Sequence, residues 1–306
     1  MTNFEVDNKL VIISGASQGL GYSLSNKLHD LGANLIILAR SEDKLKKLSN
    51  LHENNKKFND QFTIPYKIDL SNYIEIENFK KFLIKNNLNN KIDIIFCCAG
   101  SSIPKLFTDL SINELDNGIN INYKTCLYLL HSLIPLMIEN SNNNKKHIII
   151  LSSSVSFYSF IGYSQYAPLK NALKSLSDSL RHELKPFNIK VSTVFPGNFS
   201  SEGYFEENLT KPLITSEIEG SSKPITVDKC CDIIINSLSN GTTYIHTDLI
   251  GWILNSFSLG FGPRNWWGLQ IIFSLIGSIF ARLIDLYHEY LIKNWYIENN
   301  KVKKTK

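Results

Sequence analysis

Short apolar segments of strand length alternate with amphipathic segments over about the first 247 residues. The apolar segments are often β-branched, and the amphipathic ones carry apolar residues at helical spacing. The strand-like segments are Leu10–Ser14, Asn34–Ala39, Ile92–Cys98, His147–Ser152 and Ile189–Phe195. The helical segments are Leu20–Leu31, Asp43–His52, Ile74–Leu83, Ile119–Met137 and Ser164–Leu184. This alternation predicts an α/β fold built on a doubly wound parallel sheet, the Rossmann fold.

Charge and cysteine content narrow the possible classes of function. The chain has 32 basic and 28 acidic residues, a net charge of +4, which gives no concentrated basic surface and argues against nucleic-acid binding. Four of the five cysteines form the adjacent pairs Cys97–Cys98 and Cys230–Cys231, which suit neither a disulfide framework nor a zinc site. We therefore expect a reducing compartment and no metal. The N-terminus lacks the basic and apolar segments of a secretory signal, so we expect this part of the chain to face the cytosol.

A glycine-rich loop follows the first strand-like segment and opens into the first helical one. It has the form Gly-x-x-x-Gly-x-Gly, which differs from the Gly-x-Gly-x-x-Gly of the common dinucleotide fingerprint. Backbone N–H groups at a helix N-terminus, with glycines that permit close approach, form a site for a pyrophosphate. A simple connecting turn is the alternative. We predict nucleotide binding by Gly15, Ser17, Gln18, Gly19, Leu20 and Gly21.

The end of the second strand indicates which nucleotide binds. An acidic residue there would accept hydrogen bonds from the ribose hydroxyls of NAD. This chain has Arg40 instead, whose guanidinium can pair with a 2′-phosphate, and Lys44 is a weaker helper. The cofactor is therefore predicted to be NADPH, with a surface arginine as the alternative. Asp69, at the end of the third strand, could bind the adenine amino group or cap a helix.

Tyr166 and Lys170 lie four residues apart, which places them on one face of a helix. A free tyrosine titrates near pH 10, so it needs a neighbouring positive charge to exchange a proton near neutrality. Lys170 and an oxidised nicotinamide could supply that charge. Pro168 lies close to the helix start, where its missing N–H has little effect. By itself the pair could equally reflect surface amphipathicity.

Two residues upstream strengthen a catalytic interpretation. Ser153 lies thirteen positions before Tyr166 at the end of a strand, where its hydroxyl could hydrogen-bond a substrate carbonyl; Ser152 or Ser154 could replace it. Asn122 lies within a predicted helix, where an amide is unfavourable unless it serves a purpose. It could hold a water in a proton relay, or be a helix-face residue. Together these residues predict the reduction of a carbonyl group.

The alternation stops near Thr247, and the composition then changes. Leu249–Pro263 and Asn265–Ala281 contain no charged residue. The second stretch is seventeen residues, about 25 Å as a helix, against roughly 30 Å of hydrocarbon in a bilayer. We divide the chain into a nucleotide-binding and catalytic domain, residues 1–247, and a membrane-associated segment with a basic tail, residues 248–306. That segment could span the membrane, lie in its interface or form a re-entrant hairpin, and a hydrophobic dimer interface is the alternative.

These features together resemble the short-chain dehydrogenase/reductase family over roughly residues 8–247. The residues that carry the resemblance are Gly15, Gly19, Gly21, Asp69, Ala99, Gly100, Asn122, Ser153, Tyr166, Lys170, Pro196 and Gly197. The resemblance implies cofactor contacts at Ala99, Gly100, Pro196 and Gly197, and at Tyr166 and Lys170, and a homodimer or homotetramer. Two departures are Ser14 in place of the usual threonine and Cys97–Cys98 in place of asparagines.

Within the family, three segments resemble the fungal 3-ketodihydrosphingosine (3-ketosphinganine) reductases: Leu184–Asn188, Asn208–Pro212 and Thr243–Asn255. The resemblance implies reduction of a long-chain lipid ketone at the cytosolic face of the endoplasmic reticulum membrane, beneath a lid formed by Asn198–Pro224. Lys303 and Lys304 match a dilysine retrieval signal. A membrane-bound steroid or retinol dehydrogenase and a catalytically silent nucleotide-binding scaffold are the alternatives.

Overall fold

The computed structural model describes residues 4–139, 145–220, 223–258, 263 and 266–304, with side chains as far as Glu298. The strands of the central sheet are β1 (Leu10–Ser14), β2 (Asn34–Ala39), β3 (Thr63–Lys67), β4 (Ile92–Cys97), β5 (Lys146–Leu151), β6 (Ile189–Phe195) and, after a short pair β7 (Phe199–Ser200) and β8 (Ile225–Thr226), β9 (Tyr244–His246). Within the described residues these seven strands pair in parallel in the order β3-β2-β1-β4-β5-β6-β9. The predicted doubly wound fold is confirmed.

Helices connect the strands. They are α1 (Gly19–Asp30), α2 (Glu42–Asn54), α3 (Tyr73–Lys85), α4 (Ile112–Ile119), α5 (Thr125–Glu139), α6 (Ala167–Glu183), α7 (Glu202–Thr210), α8 (Leu213–Glu219), α9 (Val227–Ser239), α10 (Leu249–Phe257) and α11 (Trp267–Lys304). A π-helical turn, Asn120–Lys124, joins α4 to α5. The single helix predicted over Ile119–Met137 is therefore interrupted near its start by the π-helical turn. The short helix α4 precedes that turn.

Both faces of the sheet are covered by helices, because successive strand residues point to opposite sides. Val11 and Ile13 lie in a core with α1, α2 and α9. Ile12 lies in a second core with α3, α5 and α6. The inner strands are buried on both sides, which explains why they are continuous apolar runs in the sequence.

The two edge strands gave the weakest sequence signals. The third strand, expected only from the position of Asp69, is β3, which is partly exposed and contains Pro65. A proline within a strand is tolerated at a sheet edge, where its missing N–H removes no ladder bond. At the opposite edge, β9 has three residues and pairs only along part of β6. This strand was not predicted from the sequence.

β1 lies between β2 and β4, so the chain order reverses there. In doubly wound sheets, ligands bind in the crevice at the carboxyl ends of the strands on either side of such a reversal. The loops that carry the predicted site residues follow β1, β2, β3, β4, β5 and β6, and they therefore converge on this one edge.

The C-terminal segment forms a helix pair that packs on the domain. Trp252 of α10 stacks edge-on against Phe273 of α11 with ring centroids 5.4 Å apart, and Gly277 of α11 closely approaches Phe257. α11 continues well beyond Ala281, where the charge-free stretch ends, and over Trp267–Glu298 it is long and apolar enough to cross a membrane.

Further along α11, the side chain of His288 meets the catalytic domain. The Tyr158 hydroxyl lies 2.5 Å from its Nδ1. Because α11 contacts α10 near its start and Tyr158 beyond its middle, it lies along the surface of the domain.

Buried histidines make the stability of this fold depend on pH. His29 and His52 stack with ring centroids 4.2 Å apart, and His147, a residue of β5, hydrogen-bonds to Ser192 of β6. Burial lowers the pKa of His52 to about 4 and that of His147 to about 3. Unfolded histidine titrates near 6.5, so below that pH the unfolded chain binds more protons than the folded one. The free energy of unfolding therefore falls as the pH drops from 6.5 through these values.

We expect His52→Gln to reduce this loss. His52 contacts Thr63 and Asn26 at 3.0 and 2.9 Å. Because His52 is protonated more readily in the unfolded chain, the free energy of unfolding of the wild type should fall by roughly 2 kcal/mol between pH 7 and pH 5. Urea unfolding at the two pH values measures the difference. The exposed His131→Gln variant is the matched control and should lose as much as the wild type. An equal loss in all three proteins would contradict the assignment.

Candidate active site

The glycine loop after β1 is fixed against the loop after β4. Gly15 has a φ of +68°, and a Cβ there would lie 2.9 Å from the Cα of Ala99. The Ser14 hydroxyl accepts hydrogen bonds from the backbone N–H groups of Cys98 and Ala99 at 3.0 and 3.3 Å. Serine thus makes the contact that the family's threonine was expected to make. Gly21 is required as well, because a Cβ there would lie 2.3 Å from the carbonyl oxygen of Gly15.

The N-terminus of α1 suits the phosphates of a dinucleotide. Gln18 is its N-cap residue, but no side chain caps the helix. The first N–H groups of α1 have no intrahelical partners and face the crevice together with the glycine loop. The residues Ser17, Gly19 and Leu20 lie in this same turn, so the predicted pyrophosphate residues are contiguous in space.

The residues predicted at the adenosine end lie beyond β2 and β3. Arg40 is exposed and makes no ion pair within the described part of the chain. Lys44 donates to the side chains of Gln18 at 3.0 Å and Glu202 at 3.2 Å, which links the glycine loop to α7. Asp69 accepts from the backbone N–H and the hydroxyl of Ser71, at 2.9 and 2.7 Å. Asp69 therefore does not cap α3, since Asn72 is the capping residue.

Tyr166 immediately precedes α6, and Lys170 lies one turn into this helix. The Nζ atom of Lys170 is 5.3 Å from the centroid of the Tyr166 ring. The Ser153 hydroxyl lies near enough to the Tyr166 phenol to lower the pKa of that group. Ser152 is turned away, with its hydroxyl 2.6 Å from that of Ser156 and 2.7 Å from the carbonyl oxygen of Lys170. The structure thus brings Ser153, and not Ser152, to the tyrosine.

Asn122 is fully buried in the π-helical turn between α4 and α5. Its Oδ1 accepts from the backbone N–H of Ser101 at 3.0 Å, and its Nδ2 donates to the carbonyl of Ser101 at 2.7 Å. These bonds fix the loop after β4. Beside them, a Cβ on Gly100 would lie 2.9 Å from Nζ of Lys170 and 3.0 Å from Oδ1 of Asn122. Asn122 and Lys170 are therefore neighbours, while a water held by Asn122 stays a prediction.

Burial shifts the pKa values of Tyr166 and Lys170 in opposite directions. Burial and the negative charge of Glu207 raise the pKa of Tyr166, whereas the nearby Ser153 hydroxyl lowers it. The lowering expected from Lys170 and an oxidised nicotinamide stays a prediction. Burial lowers the pKa of Lys170 to about 8, although its Nζ donates to the carbonyl of Leu151 at 3.1 Å.

A network of buried charged residues lies beside Tyr166, and its residues were not predicted to act at the site. The Lys211 side chain is 3% exposed and pairs with Glu207 at 3.2 Å and Glu219 at 2.8 Å. The Tyr163 hydroxyl donates to Glu207 at 2.5 Å, and the Tyr163 ring lies 6.2 Å from that of Tyr166. The ion pairs therefore join α7 to α8 within the described part of the predicted lid, and the hydrogen bond from Tyr163 ties the lid to the domain. The four-residue spacing of Glu207 and Lys211 was the available signal.

Pro196 and Gly197 close the crevice after β6. The carbonyl of Pro196 accepts from the N–H of Ser154 at 3.1 Å, and Gly197 donates to the Thr247 hydroxyl at 3.0 Å. A Cβ on Gly197 would collide with the carboxylate of Asp248. This loop is therefore tied both to the loop after β5 and to the start of the C-terminal segment.

Lys170 is expected to lower the stability of the fold. Its depressed pKa corresponds to a cost on the order of 3 kcal/mol near neutrality. Between pH 8 and 10.5 the unfolded chain binds more protons at this site, so stability rises with pH there. We expect Lys170→Met to be at least as stable as the wild type at pH 7, and to gain roughly 2 kcal/mol less between pH 7 and pH 9.5.

Urea unfolding at the two pH values tests this, with the exposed Lys85→Met as the control, which should follow the wild type. A methionine variant that is markedly less stable at pH 7, or that has the wild-type pH slope, would refute it.

Comparison with known families and sequences agrees with this geometry. The family model described as short chain dehydrogenase matches residues 9–211. A 3-ketodihydrosphingosine reductase TSC10 from Debaryomyces hansenii is 48% identical over 291 residues, which cover 91% of this chain and 87% of that protein. The protein of the same name from Saccharomyces cerevisiae is 35% identical, with 97% of this chain and 98% of the relative covered.

Solved structures agree on the fold. A short-chain dehydrogenase from Sphingobium yanoikuyae, in complex with NADPH, superposes with a TM-score of 0.68 at 20% identity. The match covers 79% of this chain and 88% of that one. The part of this chain that lies outside the match is about as long as the C-terminal segment and a few loops together.

Proposed function

Because the chain belongs to the short-chain dehydrogenase family, we propose that it is an NADPH-dependent reductase of 3-ketosphinganine. It reduces the C3 ketone to the alcohol of sphinganine, a step of sphingolipid synthesis. The gathering of Ser153 and Lys170 at Tyr166, on the edge of the sheet that carries the glycine loop, is the observation that carries the proposal. The relatives that align with this chain over most of their length are named 3-ketodihydrosphingosine reductase, which supports the choice of substrate.

Each side chain then has a defined task, and Lys170 has two. Bound NADPH supplies the hydride that reaches the ketone carbon. Ser153 orients the substrate oxygen, and Tyr166 gives its proton to the developing alkoxide. Lys170 holds the ribose hydroxyls and, as a cation, favours the phenolate that remains. Asn122 holds the water through which the proton is replaced.

The cofactor residues fit NADPH by their chemistry. Arg40 has no competing ion pair in the described chain and is free to pair with a 2′-phosphate, while Lys44 lies beside Gln18 of the glycine loop and would exchange its ion pair with Glu202 for that phosphate. The uncapped first turn of α1 suits the pyrophosphate. The remaining cofactor contacts of the proposal are Gly15, Ser17, Gly19, Leu20, Gly21, Asp69, Ala99, Gly100, Pro196 and Gly197.

The alternatives are less well supported. A steroid or retinol dehydrogenase would share the catalytic residues, but the relatives at 35–48% identity carry the 3-ketodihydrosphingosine reductase name. A silent scaffold would not need a serine and a lysine placed on either side of the tyrosine.

Tyr166→Phe should lower turnover of 3-ketosphinganine by about 10²- to 10⁴-fold, since it removes the proton donor. Tyr73→Phe, which removes a phenol on α3 that is 44% exposed and lies outside the site, is the matched control and should retain most activity. NADPH consumption in detergent measures both, with NADH as the cofactor control, and NADPH binding should be unchanged. Substantial activity in the Tyr166→Phe variant, or equal use of NADH by the wild type, would count against the assignment.

We further propose that residues 1–247 form the catalytic domain and residues 248–306 a membrane-associated segment. The outward side of α11 is apolar, and Ile272, Leu275 and Ile279 are 54%, 62% and 69% exposed. Since α11 also lies along the domain through Tyr158 and His288, an interfacial position in one leaflet is favoured over a span.

The location of the protein is proposed as the endoplasmic reticulum membrane, with the catalytic domain facing the cytosol. The side chains of Lys303 and Lys304 lie outside the described residues, and their role as a retrieval signal stays a prediction. Assembly into a homodimer or homotetramer through the helices that begin near Ile119 and Ser164 also stays a prediction.

The triple variant Ile272→Ser, Leu275→Ser, Ile279→Ser should lose most of its binding to lipid vesicles, because it removes exposed apolar area without touching the core. Flotation of vesicles measures the bound fraction. Ile74→Ser on α3, where Ile74 is 72% exposed, is the control and should float like the wild type. If the triple variant still floats, or instead changes from dimer to monomer without lipid, α11 forms a different interface.

A further inference from the structure

An apolar groove lies between α11 and the catalytic domain. Its volume is about 530 Å³, and its lining is almost entirely hydrocarbon. Leu106, Phe107 and Ile161 form the wall on the domain side, and Ile292, Trp295 and Tyr296 form the wall on α11. A site of this size lies within the range of roughly 300–1,000 Å³ that is usual for small-molecule ligands.

The domain wall of this groove is built from the two loops that hold the catalytic residues. One loop begins at Ser101, which Asn122 fixes, and reaches Leu106 five residues later. The other leads from Ile161 to Tyr166, again five residues on. At no more than about 3.6 Å per residue, each groove residue lies within about 18 Å of its site residue.

A hydrogen bond joins the two loops. The N–H of Lys105 donates to the carbonyl of Gly162 at 3.0 Å, next to both Leu106 and Ile161. The ammonium of Lys105 also pairs with Glu114 of α4 at 2.6 Å. The groove wall therefore has a fixed position relative to the loops that carry the site.

We propose that this groove binds the alkyl chain of the ketone substrate while the polar head lies at Ser153 and Tyr166. The inference rests on the function proposed above, which supplies a ligand with a polar head and a long saturated chain. Each methylene removed from water strengthens binding about fourfold, so a groove of this kind discriminates by chain length.

The position of the groove on α11 separates it from the face proposed to enter the membrane. Ile279 and Trp295 are sixteen residues apart, or about 24 Å along the helix. Tyr296 and Ile297, at the outer rim of the groove, are 63% and 51% exposed. The domain wall of the groove belongs to the loops that lead to Ser101 and Tyr166, which favours the substrate as occupant over a bilayer lipid.

The test compares two ketones with the same 2-amino-3-keto head, 3-ketosphinganine and a short-chain analogue, using the full-length protein in detergent. The readout is the ratio of kcat/KM for the long ketone over that for the short one. Ile161→Asn and Trp295→Ala should each lower this ratio at least tenfold through a higher KM for the long ketone. Turnover of the short ketone should stay within about twofold of the wild type.

Tyr290→Ala is the matched control, because Tyr290 is an aromatic residue on the same helix that is 60% exposed and does not line the groove. It should leave the ratio unchanged. An unchanged ratio in the groove variants, or an equal fall for both ketones, would overturn the proposal. So would a ratio that falls in the Ile272, Leu275, Ile279 triple variant and not in the groove variants, since the chain would then remain in the membrane.

The same data separate this proposal from the function on which it rests. A wild-type protein that reduces neither ketone refutes the proposed function. A wild-type protein that reduces both without regard to chain length leaves that function standing and refutes the groove.

Discussion

The close contact between the loops after β1 and β4 positions the rest of the site. Gly15 touches Ala99 so closely that no side chain fits between them, and Ser14 bonds the same stretch of backbone. Once these loops are joined, Gly100 lies against Lys170 and Asn122. The nucleotide end and the chemical end are therefore positioned by a single backbone contact at the point where the strand order reverses. A displacement in one loop would be transmitted to the other.

The charges around this contact oppose stability. Lys170 is a buried cation whose pKa is depressed by burial, and Tyr166 is a buried phenol whose pKa is raised by burial and by Glu207. Neither group is in its most favourable environment for folding. Such unfavourable burial is expected where a fold must keep a proton donor and a cation away from water. The reaction depends on a protonated, neutral donor beside a positively charged group. The apolar cores on both faces of the sheet offset this unfavourable burial.

Local patterns predicted the inner strands, the fold class and the placement of Tyr166 and Lys170, because each depends on a periodicity or on a spacing within one helix turn. Features that depend on distant partners were not predictable. The π-helical turn at Asn122 follows from bonds to Ser101, twenty-one residues earlier, and the helical signal around it is continuous. β9 is too short to have a signal of its own. The pairing of Lys211 with Glu219, and of Tyr163 with Glu207, needs the lid to be folded first.

The contact between His288 and Tyr158 has a practical consequence for anyone who prepares this protein. A C-terminal hydrophobic helix is commonly cut away to obtain a soluble fragment. Here the helix covers the surface of the catalytic domain at Tyr158, and it covers Phe257 of α10 through Gly277. A fragment without α11 would present those aromatic faces to solvent, and exposed aromatic surface promotes self-association. Detergent-solubilised full-length protein is therefore the form in which the domain retains the surface it has in the whole chain.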